Sequence, residues 1–305
     1  MSAEQGYADW IAVDWGTTRL RAWAMTGDGA MRAEAASDDG MGGLAPDGFE
    51  PALLRLVEPW LGARPMPVLA CGMVGSRQGW AEAPYRAVPA RPSDLPPVPV
   101  ATRDPRIRVS ILPGLSQARP PDVMRGEETQ AAGFLAQHPG FDGILCLPGT
   151  HTKWVHLSAG EVVSFQSYMT GELFQLLSER SVLRHSVAAT DLDLDDFRDA
   201  VAESLSRPEG LARRLFSIRA ENVLADLPPE AARGRLSGLL IGAELAGARP
   251  FWLGQEVAVA GAPGLAALYA EALAAQGVPA RTHDADPLTR LGLARVWQTL
   301  RETAG

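Results

Sequence analysis

The chain carries one short pattern twice, and that repeat constrains its fold more than any other feature. Sliding the sequence on itself by 133 residues places Ile11 on Ile144, Gly16 on Gly149, Thr17 on Thr150 and Gly27 on Gly160. In each copy an apolar run breaks at a Gly-Thr turn, resumes, breaks again at glycine and resumes once more. The copies read IAVDWGTTRLRAWAMTGDGAMRAEAA and ILCLPGTHTKWVHLSAGEVVSFQSY. Runs of this length bounded by glycine predict three short strands joined by tight turns. Two such cores imply two halves, 1–139 and 140–305, and 305 residues are enough for each half to bury its own core.

The segments around the repeats are mixed α and β. ALLRLVEPW predicts a helix with Leu53, Leu54, Val57 and Trp60 on one face, VLAC and IRVSIL predict strands, and GEETQAAGFLAQ predicts a helix from near Gly126 to about Pro139. GELFQLLSERSVL reads as a helix with Leu173, Leu176 and Leu177 inward, and DLDLDDF as a solvated helix start rather than a metal site. EVAVA is a strand, GAPG a turn and LAALYAEALAAQG a helix. A last helix, 287–300, lines up Leu288, Leu291, Ala294 and Trp297, and could pack on either half, including back on the first.

Composition removes several function classes. Apolar residues make up 46% and charged residues 21%, which is ordinary globular usage. A net charge of -8 with no basic block repels polyphosphate, so no nucleic-acid partner is expected. Neither a signal peptide nor a long apolar run is visible, which points to a cytoplasmic protein without a membrane partner. Cys71 and Cys146 lie in apolar runs without metal-ligand spacing, so they read as reduced core thiols. The 31 glycines and 24 prolines together form about 18% of the chain against a usual figure of about 12%, and that surplus must sit in loops.

The loops carry the chemistry. In DWGTTR, Gly16 permits a sharp turn and close approach of a ligand to backbone N–H groups, while Thr17, Thr18 and Arg19 offer groups that bind phosphate oxygens. Asp14 ends an otherwise apolar strand, where it either caps its own turn or holds a hydrated Mg²⁺. In the second copy Leu147 replaces that aspartate, whereas Gly149, Thr150, His151, Thr152 and Lys153 supply donors and a cation for a second phosphate. Two such turns suit a triphosphate.

Paired turns of this sort, one acidic and one not, resemble the phosphate-1 and phosphate-2 motifs of the sugar kinase, heat-shock 70 and actin superfamily. That resemblance implies duplicated ribonuclease H-like (actin-like ATPase) domains, each a mixed five-stranded sheet flanked by helices, with ATP and Mg²⁺ in an interdomain cleft. It also implies a late adenosine-binding turn, for which VAVAGAPGL supplies Gly261 and Gly264 and GLLIGAEL supplies Gly242. The ordered strings VDWGTTRLRAW, CGMVGSRQGW with EAPY, VMRGEETQ, LPGTHTKW and SYMTGELFQLL resemble the 2-dehydro-3-deoxygalactonokinase family, from about Ile11 to Leu300. No string matches between Val182 and Arg235.

The resemblance implies phosphorylation of the terminal 6-hydroxyl of a six-carbon 2-keto-3-deoxy sugar acid in galactonate breakdown. A helix-opening acid would act as general base, and RGEETQ offers Glu127 and Glu128, of which Glu127 is favoured; both could instead complement the helix N-terminus. The acceptor is an anion, so the pocket needs a cation. Arg77 is the candidate, beside Gly75 and Ser76, with Trp15, Trp80 and Tyr85 as walls. Competing expectations are a kinase for another small sugar or sugar acid, and a nucleotide-switched ATPase of the actin or heat-shock kind.

Overall fold

The computed structural model describes residues 8–304. The first repeat forms β1 (Trp10–Trp15), β2 (Leu20–Met25) and β3 (Met31–Ser37). Helix α1 (Phe49–Val57) and strand β4 (Met66–Cys71) follow, then the two-residue strands β5 (Arg86–Ala87) and β6 (Val98–Pro99). Next come β7 (Ile107–Ile111), β8 (Leu115–Ala118), β9 (Pro121–Met124) and α2 (Glu127–Gln137). The main sheet runs β3-β2-β1-β4-β7-β6, antiparallel across β1 to β3 and parallel from β1 through β4 to β7. A small sheet, β5-β8-β9, stands beside it.

The second repeat forms β10 (Gly143–Leu147), β11 (Thr152–Ser158) and β12 (Glu161–Tyr168). Helices α3 (Thr170–Arg180), α4 (Leu194–Ser206), α5 (Leu211–Ala225), α6 (Pro229–Gly247) and α7 (Arg249–Trp252) lead to β13 (Val257–Gly261). The chain closes with α8 (Pro263–Ala274), β14 (Arg281–Asp284) and α9 (Asp286–Ala304). The second sheet, β12-β11-β10-β13-β14, repeats the order of the first, with β13 parallel to both neighbours. Val13 pairs with Ala70 in one sheet, and Cys146, its counterpart 133 residues on, pairs with Val259 in the other. The repeat is one sheet plan used twice.

The described residues divide into two compact units, one of 8–142, 157–164 and 285–304, the other of 143–156 and 165–284. In the first, alternation along β1 decides what each face meets. Ile11, Val13 and Trp15 pack with Phe49, Leu53 and Val57 of α1, while Trp10 and Ala12 pack with Leu293 and Val296 of α9. Trp10 and Trp297 stack with ring centroids 4.8 Å apart. Helices α2 and α9 meet at glycines: a Cβ on Gly292 would overlap the Thr129 carbonyl, and one on Gly133 the Leu288 carbonyl.

In the second unit α6 lays Gly234, Gly238 and Gly242, one per turn, against the backbone of α4. The acidic start of α4 is a cap, in which Asp193 Oδ1 accepts from the N–H groups of Asp195 (2.9 Å) and Asp196 (3.0 Å). One expectation fails on α3. Leu177 faces the core together with Phe174, but Leu173 and Leu176 are 42% and 45% exposed. The helix is rotated by its first turn, where Gly171 lies hard against the Gly149 carbonyl, and that contact overrides the leucine spacing.

Gly292→Ala is expected to lose about 1–3 kcal/mol through overpacking against α2. Calorimetry should show a melt several degrees lower; an unchanged melt would contradict so close a contact between these helices.

Candidate functional site

In the first unit the site grows from the end of β1. The hairpin register sets Arg21 opposite Asp14, and the guanidinium donates to Asp14 Oδ2 from Nη2 (2.7 Å) and Nε (3.2 Å). Its Nη1 reaches Asp286 Oδ1 at 3.1 Å, so the start of α9 joins the pair. Asp14 Oδ1 is left facing Gly72, which has φ +92°; a Cβ there would sit 3.3 Å from that oxygen and 2.8 Å from the Trp15 carbonyl. Glycine keeps the approach to Oδ1 open. The turn is closed by Gly16 N–H donating to the Arg19 carbonyl at 2.9 Å, and Thr17, Thr18 and Arg19 are exposed on it.

The acid pair opens α2 behind this turn. Glu127 Oε2 accepts from Arg125 N–H at 3.0 Å and Glu128 Oε2 from Gly126 N–H at 2.7 Å, so each carboxylate caps backbone left over at the helix start. They differ in access: Glu127 is half-buried and Glu128 is wholly buried. Burial, with the neighbouring Glu127 charge, pushes the Glu128 carboxyl up to about 8. Burial also raises the Cys71 thiol, helped by the charges of Asp14 and Glu128, which places the ends of β1 and β4 and the start of α2 in one electrostatic neighbourhood.

The loop after β4 holds the other first-unit candidates. Trp15 is fully buried, donating from Nε1 to the Asp39 carbonyl at 2.8 Å, and Trp80 stacks on Phe49, so both tryptophans belong to one aromatic cluster. Arg77 has an 82% exposed side chain and lies 3.7 Å from Glu82. Gly75 and Ser76 are buried. Tyr85 is 41% exposed and covers the guanidinium of Arg125, whose Cζ is 4.3 Å from the ring centre.

In the second unit the turn after β10 exposes Thr150 and His151 and buries Thr152 and Lys153. His151 Nε2 lies 2.6 Å from Glu172 Oε2, and Glu172 N–H donates to the Thr150 carbonyl at 2.9 Å, tying α3 to the turn. Beneath it lies a buried carboxyl that sequence reasoning missed. Glu244 accepts from Trp154 Nε1 (2.8 Å), from Tyr269 Oη (2.8 Å) and from Thr170 Oγ1, and Tyr269 Oη is 2.9 Å from Thr152 Oγ1. Burial holds Glu244 above the usual carboxylate range while these donors oppose it. A lone acid in the apolar string GLLIGAEL was the available signal.

A cavity of about 440 Å³ opens beside this turn, lined by Gly149, Thr150, Phe174, Ile241, Leu265 and Tyr269 among others. Its size and its apolar walls with a few polar groups fit a small organic ligand. Gly261, the last residue of β13, borders Pro148 of the turn, and Gly264, in the first turn of α8, is open. Gly242 lies elsewhere: its Cα faces α4, where a Cβ would meet the Val201 carbonyl at 2.6 Å, and it does not line the cavity. Among the described residues no cluster of three His, Cys, Asp or Glu could hold a metal, and no helix is long and apolar enough to cross a membrane.

A carboxyl neutral up to about pH 8 when folded, but ionising near its ordinary value when unfolded, stabilises the fold at low pH and loses that contribution as pH rises towards 8. Glu128→Gln lacks this loss. Its melting temperature should therefore climb relative to the parent between about pH 5 and about pH 9. A difference that stays constant across that range would contradict a buried, neutral Glu128.

The family model described as 2-keto-3-deoxy-galactonokinase matches residues 14–296, a span that includes both turns and the acid pair. A Rhizobium meliloti protein named "Probable 2-dehydro-3-deoxygalactonokinase DgoK1" is 40% identical over 291 residues, covering 93% of this chain and 95% of that one. The Escherichia coli 2-dehydro-3-deoxygalactonokinase is 35% identical over 294 residues, covering 95% and 97%. A crystal structure from Sinorhizobium meliloti, provisionally described as a 2-dehydro-3-deoxygalactonokinase protein, superposes with a TM-score of 0.88 at 39% identity, covering 95% of this chain and 99% of that one. At 11% identity, the activator of 2-hydroxyisocaproyl-CoA dehydratase from Clostridium difficile, with bound ADPNP, shares the fold with a TM-score of 0.51. The duplicated sheets are thus those of the actin-like ATPase and sugar kinase fold, and the chain belongs to the 2-dehydro-3-deoxygalactonokinase family.

Proposed function

We propose that this chain transfers the γ-phosphoryl group of ATP to the terminal 6-hydroxyl of 2-dehydro-3-deoxygalactonate, in the cytoplasm. The observation that carries the reading is the family match across residues 14–296, within which the acid-bearing turn, the acid-free turn and the helix-opening acids all fall. Phosphoryl transfer leaves a protein three tasks: to position the groups, to neutralise charge and to take the hydroxyl proton.

Asp14 is the carboxylate for Mg²⁺. A Mg²⁺ ion that keeps several waters needs only one or two carboxylates besides the nucleotide phosphates, and the space that Gly72 leaves before Asp14 Oδ1 fits that demand. Bound there, the ion would neutralise charge on the phosphates. Thr17 and Thr18 with the N–H groups of their turn, and Thr150 with those of Gly149 to His151, are the phosphate-binding groups. Lys153 adds positive charge behind the second turn, and the 440 Å³ cavity beside it takes the adenosine. Ordering of the turn falls to Glu244 through Thr152, Thr170 and Tyr269.

Glu127 is the base. It is half-buried and so open to a hydroxyl, whereas Glu128 is sealed from solvent and held neutral near pH 7, which disqualifies it as a proton acceptor. Glu128 instead fixes the backbone at Gly126 from which Glu127 projects.

Glu127→Gln is expected to cut kcat by about 10²–10⁴-fold with small changes in both KM values. Asp14→Asn should cut kcat as well while leaving the sugar-acid KM near the parent value. ADP release by the purified protein, measured with ATP and either the keto-deoxy acid or neutral hexoses, checks the reading. Turnover confined to neutral hexoses, or high ATP hydrolysis without any acceptor, would contradict it.

A further inference from the structure

We infer that Arg125 binds the carboxylate of the acceptor, beside the Tyr85 ring. The inference rests on the kinase reading above and names the residue that makes the enzyme select an acid.

Arg125 is a buried cation with unused donors. It is 9% exposed, its Nη2 donates to the Ala83 carbonyl at 2.8 Å, and its Nε and Nη1 have no partner. Its charge acts on the buried Glu128, but neither Nε nor Nη1 makes a hydrogen bond to that carboxyl. A buried charge is ordinarily paired, and a guanidinium with free donors presents the planar fork that a carboxylate fills with two parallel hydrogen bonds. The surroundings hold that fork in place. Gly75 lies against it, where a Cβ would come 2.8 Å from Nη1, and the Tyr85 ring covers the other side. Ser76, next in the chain, has a buried hydroxyl that is likewise unpartnered.

The position suits the reaction. The Glu127 carboxylate accepts from the Arg125 backbone N–H, so the base lies at the root of the Arg125 side chain and the guanidinium at its tip. The stem from that backbone nitrogen to Cζ is as many bonds long as the path from the carboxylate carbon of a six-carbon sugar acid to its terminal hydroxyl oxygen. An acceptor anchored by its carboxylate at the tip therefore has the reach to bring its far hydroxyl back to the base. A neutral hexose would leave the buried guanidinium unpaired, and sites built around a charged group discriminate strongly against analogues that lack it. Arg77 offers no such selection, because its exposed charge is screened by water and shared with Glu82.

The test is steady-state kinetics of the full-length parent, Arg125→Gln, Arg125→Lys and Arg77→Ala, with ATP and 2-dehydro-3-deoxygalactonate varied in turn. Arg125→Gln should raise the sugar-acid KM by about 100-fold or more while the ATP KM stays within about twofold. Arg125→Lys keeps the charge but not the fork, and should fall between. If the Arg125 variants do not fold, the parent enzyme is given the C1 carboxamide of the same sugar, which should lose about 100-fold or more in kcat/KM. An unchanged sugar-acid KM in a folded Arg125 variant, a rise confined to Arg77→Ala, or equal turnover of acid and amide would overturn the inference. No turnover of the acid by the parent would instead overturn the kinase reading itself.

Discussion

A carboxylate at the end of a buried strand has to be held, and the pairing of Asp14 with Arg21 is the interaction around which the first unit is arranged. The strand before Asp14 is wholly apolar and covered on both faces, so the charge emerges at the one edge where a partner can meet it. The hairpin register supplies that partner directly opposite, and Asp286 shares it from the start of α9. Sheet, turn and C-terminal helix therefore depend on a common charged contact. The same pairing occupies Oδ2 and leaves Oδ1 facing Gly72, with the Cys71 sulfur 4.0 Å away.

The second unit uses the same sheet without that charge. Leu147 stands where Asp14 would be, and the turn is braced from beneath by Glu244 and the hydroxyl and indole groups that donate to it. One plan has thus taken two electrostatic solutions. In the first unit the carboxylate sits at a strand end paired with arginine; in the second a carboxyl that burial raises above the usual carboxylate range stiffens the turn from beneath.

Much of this was legible in the sequence because the repeat is local. Gly16 and Gly149 mark the turns, the apolar runs mark the strands, and the conversion of aspartate to leucine between copies marks where the halves diverge. What was not legible depends on contacts between distant segments. Leu173 and Leu176 have core spacing but face outward, because Gly171 sets the rotation of α3 against the second turn. Gly242 sits in a string that borders the cavity, yet its own face meets α4. Arg125 stands beside two acids in the string RGEETQ; only the fold shows that its guanidinium donates to the Ala83 carbonyl and lies against the Tyr85 ring. The hairpin spacing that sets Asp14 against Arg21 could have been counted from the turn.

The central claim of the proposed function is a division of labour, in which the second turn and its cavity would hold the nucleotide and the loop after β4 and the start of α2 would hold the sugar acid. Hydrogen exchange read by mass spectrometry, with ADP alone and with the keto-deoxy acid alone, tests it most directly. The account predicts that ADP protects residues 148–153 and 262–269, and that the sugar acid protects 73–86 and 124–128. Protection of 73–86 by ADP, with none there from the sugar acid, would contradict it.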